Sequence, residues 1–328
     1  MYFGIQPIIS LIYCSIITII FFKYGFFIYI WMSGIIKGYL MCMGSRKVVL
    51  AYTWPAILCA ILASWGLPPL LDVLKIGIAV TFVGYAVYFY NDLMDVDDDL
   101  KNKELGNPVP ASRPFASGKV TKKMMVFYIF LSSAIGLITA ITINYKVLIL
   151  LLFYIILGVL YSTDPIKLKK RFLMKQIVIG TGYAIDHLVG AYAVGSLNPA
   201  VIYLTTLDFI ITVGVNPILD IRDMEGDRVI GVKTIPVIFG PTFTVRLAIA
   251  VLAASGVATL IGYSRIGFNT AMPLLFLIVV IAFIYVLYPL IRKWNNPIYL
   301  NKVALKRALP LLQLLQLTFL IGILPLPF

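Results

Sequence analysis

The chain has 328 residues, of which 61% are hydrophobic and only 12% are charged, and its mean hydropathy is +0.98. This composition lies far outside the range of soluble globular proteins. The formal net charge of +13 invites a nucleic-acid interpretation. The chain has no zinc-finger pattern and no basic stretch interleaved with aromatic residues, so we expect membrane lipids and no nucleic acid among its partners.

Apolar stretches of about 20 residues, long enough to cross a bilayer as helices, follow one another along the chain. We interpret residues 1–45, which Lys23 and Lys37 interrupt, as an apolar extension of one or two membrane or interfacial helices. Residues 46–328 are expected to form one all-α domain, a polytopic bundle of about nine transmembrane helices separated by Gly, Pro and Asn breaks. These helices are predicted at 47–66, 73–93, 122–143, 146–163, 175–196, 200–219, 241–262, 270–291 and 307–326.

Basic residues distinguish the two sides of this predicted bundle. The loops 94–123, 162–175, 220–240 and 292–307 carry 19 Lys and Arg residues together, whereas the loops on the opposite side carry three. Because Lys and Arg accumulate in cytoplasmic loops, we predict a multi-pass protein of the cell membrane whose basic side faces the cytoplasm.

Acidic residues concentrate on the same side. Nine of the 14 Asp and Glu residues lie in the stretches 92–99 and 220–227, and these resemble a weak internal repeat. Carboxylates this close repel one another unless a cation joins them. We therefore predict that the two stretches face each other and hold divalent metal against a diphosphate. On helices, the residues that share one face are Asn91, Asp95 and Asp99 in the first stretch and Asp220, Asp223 and Asp227 in the second.

The ligand types indicate which metal is held. The oxygen-only ligands indicate a hard ion, and Mg²⁺ fits because it binds through a few carboxylates plus substrate phosphates. A diphosphate also needs basic partners. Arg113 and Lys167 are the best placed, because Pro and Gly turns can fix them. For the neighbouring Lys169, Lys170 and Arg171, the alternative explanation is the ordinary excess of positive charge on the cytoplasmic side.

Four motifs in order resemble the UbiA superfamily of intramembrane prenyltransferases. Asn-Asp-x-x-Asp-x-x-x-Asp spans 91–99 and Asp-x-x-x-Asp spans 223–227, while Arg-Pro-x-x-Ser-Gly at 113–118 and Tyr-Ser at 161–162 are also typical of the family. The resemblance covers roughly 46–326. Many members place the Tyr four residues before the loop Lys, whereas Tyr161 and Lys167 are six apart.

The resemblance implies Mg²⁺-dependent transfer of an isoprenyl group from a polyprenyl diphosphate, such as geranyl or geranylgeranyl diphosphate, with release of diphosphate. The acceptor would be a hydrophobic aromatic or lipid-like precursor, in isoprenoid quinone or ether-lipid biosynthesis. Two Mg²⁺ ions would bridge the donor diphosphate, and the allylic C–O bond would break toward a carbocation.

The implied catalytic residues are Asp95, Asp223, Lys167 and Arg113. The implied metal ligands are Asn91, Asp95, Asp99, Asp223 and Asp227, with Asp220 as a further candidate. The implied substrate-binding residues are Asn91, Arg113, Lys119, Tyr161, Lys167, Lys169 and Arg228.

Other polar residues have less specific interpretations. Asp92, Asp97 and Asp98, and Asp220 if it is not a ligand, would support the ligands or face the acceptor. His187 is a candidate proton acceptor, although a buried hydrogen-bonded pair or a contact inside the bundle is the simpler explanation. Asp208 lies mid-helix without a visible partner.

The main alternative is a membrane transporter or channel with a divalent-cation or anionic-substrate site. Such a protein would place its acids near the midplane on broken helices more often than at helix ends. The Asp-rich motif of CDP-alcohol phosphatidyltransferases is absent from this sequence, and soluble prenyl synthases lack membrane spans.

Overall fold

The computed structural model describes residues 34–104, 112–195, 197–303 and 307–324. Most of the predicted extension, residues 1–33, therefore lies outside the described residues. All regular structure within the described ranges is helical, as the sequence predicts. The helices are α1 (Gly34–Ser45), α2 (Val49–Ser64), α3 (Leu70–Met94), α4 (Val96–Glu104), α5 (Lys122–Ile141), α6 (Tyr145–Ser162), α7 (Met174–Ala193), α8 (Pro199–Val215), α9 (Pro217–Val229), α10 (Ile235–Phe239), α11 (Pro241–Ile266), α12 (Ala271–Leu287), α13 (Leu290–Lys293), α14 (Pro297–Val303) and α15 (Leu309–Gly322).

Several helices begin at the breaks read from the sequence. Asn144 and Asn198 cap α6 and α8, where each side-chain oxygen accepts the backbone N–H three residues on, at 3.0 Å. Gly240 has a φ of 84°, which a glycine adopts without steric cost, and Pro241 starts α11 directly after it.

Two acidic segments are more helical than expected. The stretch 220–227 was predicted to end a helix and enter a loop, but it lies wholly inside α9. Pro217 has no N–H to continue α8 and instead occupies the first turn of the new helix. Similarly, α4 extends the acidic run after α3, and only Asp95 stands between them.

The long helices form a closed ring. Neighbouring contacts run in the order α2, α3, α5, α6, α7, α8, α11, α12 and α15, and α15 returns to α2. Across the ring α2 also packs closely on α7, and Gly190 makes this possible, because a methyl group there would overlap the Ala56 carbonyl. Two cores of buried apolar residues fill the two halves of the ring.

The outer surface suits a bilayer. Large apolar side chains face outward, including Phe130 and Ile261, which are 71% and 75% exposed. Within the described residues, six helices are long and apolar enough to cross a membrane. The pair α1–α2, bent by 71°, passes the same test as a unit.

Candidate active site

The first acidic motif lies where α3 meets α4. The Asp95 N–H donates to the Asn91 carbonyl at 3.0 Å, and the Asp99 N–H donates to the Asp95 carbonyl at 2.8 Å. Helical spacing therefore continues through the joint, and the three residues share one side as predicted. The Asn91 amide donates to Asp95 Oδ2 at 2.7 Å and to Ser162 Oγ at 3.1 Å, so α6 fixes its orientation.

Both acidic motifs line one cavity. The first motif contributes Asn91, Asp95 and Asp99, and the second contributes Asp223 and Asp227 from α9. Two stretches separated by more than a hundred residues thus face each other across a common space. The other lining residues are Asp98, Arg113, Tyr161, Lys169, Lys175, Arg222, Ile230 and Val232.

Lysines of the segment between α6 and α7 pair with the first motif. Lys169 Nζ contacts Asp95 Oδ1 and lies 3.5 Å from Asp98 Oδ2. Lys167 Nζ is 3.3 Å from the same oxygen of Asp98, and Lys170 Nζ is 3.8 Å from the other. The positive charge of this segment is therefore directed into the site and is not only a solvated loop charge.

Two arginines hold the buried Asp92 and the neighbouring Asp99. Arg113 Nη1 lies 3.2 Å from Asp92 Oδ1 and donates to Asp99 Oδ2 at 2.9 Å. Arg46 Nε donates to Asp92 Oδ2 at 3.0 Å, and its Nη2 contacts Asp92 Oδ1. Both carboxylate oxygens of Asp92 therefore contact arginines, and Asp92 does not line the cavity.

The second motif has its own basic partners. Lys175 Nζ lies 2.6 Å from Asp220 Oδ1, and Gln176 Nε2 donates to Asp220 Oδ2 at 2.6 Å. Arg222 donates to both carboxylate oxygens of Asp223 at 2.9 Å. Both Asp220 oxygens are thus engaged by Lys175 and Gln176, and Asp220 does not line the cavity, whereas Asp223 and Asp227 do.

Burial and these cations shift the pKa values of two carboxyl groups on α4, Asp98 and Asp99, and of Lys167 in the loop that follows α6. Burial raises the pKa of Asp99 to about 6, with Asp95 and Asp92 adding to the rise and Arg113 opposing it. Burial would also raise the pKa of Asp98, but Lys169, Lys167 and Lys170 outweigh it, and that pKa is lowered. Burial opposes the charge of Lys167, yet Asp98 and Asp164 hold the pKa of its ammonium above its ordinary value.

A second, mainly apolar cavity adjoins the first. Asn91 and Tyr161 line both cavities and so mark the junction between them. From there the apolar cavity extends along α7 through Val178 and Gly182. Its remaining lining residues are Arg46, Tyr52, Val87, Tyr88, Tyr154, Leu157, Gly158 and Ile179.

Several residues chosen from the sequence lie away from this site. Lys119 and Arg228 are exposed and line neither cavity, and Arg228 pairs with Glu225 at 2.8 Å. Lys167 lines neither cavity and reaches the site only through Asp98. Asp97 is exposed. Sequence patterns did not single out Arg46, Lys175, Gln176 and Arg222. For Arg46, Lys175 and Arg222, the available signal was a cation next to an apolar helix or inside an acidic motif.

His187 has a partner other than its neighbour in sequence. Its Nε2 lies 3.1 Å from Asp208 Oδ2, which also accepts a hydrogen bond from Gln316 at 2.6 Å. All three side chains are buried and line neither cavity. His187 therefore makes a contact inside the bundle, the simpler of the two interpretations.

Comparison with known proteins gives a consistent result. The sequence model of the UbiA prenyltransferase family matches residues 52–298. The chain is 28% identical over 204 residues to digeranylgeranylglyceryl phosphate synthase of Pyrococcus horikoshii, covering 62% of this chain and 69% of that one. It is 26% identical over 210 residues to 4-hydroxybenzoate octaprenyltransferase of Francisella tularensis subsp. novicida, covering 62% and 70%.

The fold has a solved counterpart. A UbiA homologue from Archaeoglobus fulgidus, bound to GPP and Mg²⁺, superposes with a TM-score of 0.64 at 19% identity, covering 87% of this chain and 99% of that one. The match to the family model extends over most of the described helices, from α2 into α14. The chain therefore belongs to the UbiA prenyltransferase family and is a multi-pass membrane enzyme that transfers isoprenyl groups.

Proposed function

We propose that the enzyme binds a prenyl diphosphate, with two Mg²⁺ ions, in the cavity between α3–α4 and α9. The observation that carries this proposal is that both acidic motifs line the same cavity. The Archaeoglobus fulgidus homologue bound to GPP and Mg²⁺ supports the same assignment of ligand and ion.

The chemistry of the cavity fits Mg²⁺. Its acidic lining supplies only oxygen ligands, which a small hard cation prefers. Asp227 Oδ2 is buried and accepts no hydrogen bond from any residue that the structure describes. A buried carboxylate oxygen without a donor is costly unless a cation satisfies it. We assign Asn91, Asp95, Asp99, Asp223 and Asp227 as ligands and Asp220 as the residue that fixes α9 through Lys175 and Gln176.

Basic residues supply the remaining charge for the diphosphate. Lys169, Lys175, Arg113 and Arg222 line the cavity, where they stabilise the negative charge that grows on the departing diphosphate. Bound Mg²⁺ supplies Lewis-acid stabilisation of the same leaving group. Tyr161, at the junction of the two cavities, would lie near the allylic C–O bond of a donor whose diphosphate is in the polar cavity and whose tail is in the apolar one.

The apolar cavity suits the isoprenyl tail. It begins at the junction with the polar cavity and is lined mostly by apolar and aromatic side chains. A donor with its diphosphate among the acids would therefore lay its hydrocarbon chain along α7 and exclude water from the reacting carbon. The acceptor captures that carbon with its nucleophile.

The acceptor is an aromatic ring or a lipid precursor. Relatives named for each class, a glyceryl phosphate and 4-hydroxybenzoate, are similar to this chain at 28% and 26% identity. Geranyl and geranylgeranyl diphosphate suit both acceptor classes as donors. The enzyme would act from the cytoplasmic face, which the 19 basic residues of the site-side loops support.

We further propose nine membrane crossings. The six apolar spans account for six of these crossings. The bent α1–α2 pair, α7 and α15 would each add one more. The closed ring of contacts supports this count, since α7 and α15 are members of it alongside the six spans.

The test measures diphosphate release from geranylgeranyl diphosphate by the purified protein, with Mg²⁺ or with a chelator. Acceptors with an aromatic ring and with a glycerol phosphate are compared, and Asp95→Ala and Asp223→Ala serve as ligand variants. We expect release that requires Mg²⁺ and both aspartates, and the acceptor that gains the isoprenyl group identifies the acceptor class. Release unaffected by the chelator, or by both substitutions, would contradict the metal site.

A further inference from the structure

Arg46 lies in the turn between α1 and α2, outside the residues that the family model matches. It is only 9% exposed, although it is an arginine near a helix end. Its guanidinium makes two contacts with the Asp92 carboxylate, and its Nη2 lies 3.5 Å from Asn91 Oδ1. The guanidinium also lies over the Tyr88 ring, 5.1 Å from its centre. These three partners of the Arg46 side chain all lie in the last two turns of α3, beside the metal motif.

The backbone around Arg46 is fixed on both sides. Its N–H donates to Met43 at 3.0 Å, and its carbonyl accepts from Val49 at 3.0 Å. The preceding helix α1 is itself anchored, since the Tyr128 hydroxyl donates to the Ile35 carbonyl at 2.7 Å. The Arg46 side chain is therefore held over the end of α3 by packing and does not sample the solvent freely.

The charges show what this arrangement achieves. Asp92 is 2% exposed, and its carboxylate is shared between Arg46 and Arg113. Arg113 in turn is shared between Asp92 and Asp99. Without Arg46, Arg113 would be the one cation left within 4 Å of the buried Asp92 among the residues that the structure describes, and it would be drawn away from Asp99. Asn91 Oδ1 would also lose its contact with Arg46, while the Asn91 amide nitrogen would keep its hydrogen bond to Asp95.

We propose that Arg46 is a positioning residue for the first metal motif, and that it acts through Asp92. By neutralising Asp92 it fixes the last turn of α3, which orients Asn91 toward Asp95, and it leaves Arg113 for Asp99. The inference rests on the proposed Mg²⁺ site. It assigns a function to Arg46, which lies before the residues that the family model matches.

The experiment measures binding of Mn²⁺, a paramagnetic substitute for Mg²⁺, to the full-length protein by electron paramagnetic resonance. A geranyl thiodiphosphate that is not turned over is present throughout. The variants are Arg46→Met, Arg46→Lys, Asp92→Asn and the Arg46→Met/Asp92→Asn double variant. Lys47→Met removes an exposed neighbouring charge and is the matched control. Thermal unfolding is recorded for each variant.

We expect Arg46→Met to weaken Mn²⁺ binding about tenfold or more, as loss of a residue that orients metal ligands commonly does. Arg46→Lys should lie between Arg46→Met and the wild type, because a point charge cannot make both contacts with Asp92. Lys47→Met should bind as the wild type does. The double variant should be no weaker than Arg46→Met alone, because the arginine acts through the aspartate.

Mn²⁺ affinity within twofold of the wild type in both Arg46 variants would overturn the inference. Losses that multiply in the double variant would also overturn it, because Arg46 would then act independently of Asp92. If Arg46→Met fails to fold, the lysine variant decides the question. If the wild type binds no Mn²⁺, or Asp223→Ala binds it equally well, the proposed metal site fails and the inference fails with it.

Discussion

The Lys175 ammonium lies 2.6 Å from Asp220 Oδ1, and this ion pair joins the first turn of α7 to α9 across the base of the second acidic motif. Asp220 is 3% exposed, so its charge depends on Lys175 and on the Gln176 amide for compensation. The pair positions α9, whose next turns carry Asp223 and Asp227 toward the cavity.

Replacing Lys175 with Met should therefore destabilise the protein. Removing one partner of a buried pair costs about 3–5 kcal/mol, and we expect the lower end because the Lys175 side chain is a fifth exposed. Thermal unfolding in detergent measures the loss. Arg228→Met breaks the exposed pair with Glu225 and should change stability by about 1 kcal/mol or less. Equal losses in the two variants would show that Asp220 does not depend on Lys175.

Gly190 should tolerate no side chain. A Cβ at this position would overlap the backbone carbonyl of Ala56, which cannot move without separating α2 from α7. We expect Gly190→Ala to cost about 3 kcal/mol, the upper part of the range for overpacked cores. Gly44→Ala, where nothing lies within 4 Å, should be neutral or slightly stabilising. A Gly190→Ala protein as stable as Gly44→Ala would contradict the close crossing.

Magnesium dependence should vary with pH through Asp99. Because burial raises the pKa of this carboxyl to about 6, it holds a proton below that pH and must release it to bind a cation. The Mg²⁺ concentration for half-maximal activity should therefore rise as pH falls below 6, approaching about tenfold per pH unit for one competing proton. Saturating Mg²⁺ should restore the rate. The metal-free protein should show the opposite trend in stability: the native state binds this proton more tightly than the unfolded chain, so the contribution of Asp99 increases as pH falls through 6. A half-saturation value that is constant from pH 7 to pH 5 would contradict this assignment.

Donor length should respond to Gly182. This residue lines the apolar cavity, and a Cβ there would lie 3.1 Å from the Tyr154 ring. Gly182→Val should therefore shorten the space for the tail and lower kcat/KM for geranylgeranyl diphosphate about tenfold more than for geranyl diphosphate. Gly77→Val adds the same group in a helix where the nearest atoms are 4.0 Å away, outside the cavity, and it should leave the ratio unchanged. An equal loss for both donors in Gly182→Val would indicate a general packing defect.

Much of the architecture was predictable because it depends on local sequence. Apolar runs predicted the long helices, and Asn144, Asn198 and Gly240 marked their starts through capping and backbone preference. The continuation of the acidic stretch as a helix after Pro217 was not predicted, because a proline can start a helix as well as end one.

The acids of the site were predictable, but most of their partners were not. Spacing alone placed Asn91, Asp95 and Asp99 on one side. Arg46 and Gln176 reach Asp92 and Asp220 from 46 and 44 residues away, and only tertiary packing brings them there. Lys119 and Arg228 looked equivalent to Lys169 in sequence, but both are exposed and line neither cavity.

The ion pairs within the cavity bear on the order in which ligands bind. Lys169 contacts Asp95, and Arg222 holds both oxygens of Asp223. If Asp95 and Asp223 bind metal as proposed, these cations must leave the carboxylates, and the diphosphate of the donor is the anion that can receive them. Metal alone would leave basic side chains unpaired beside the bilayer, and diphosphate alone would leave the acids unpaired. Donor and metal should therefore bind cooperatively, each strengthening the binding of the other by the same factor.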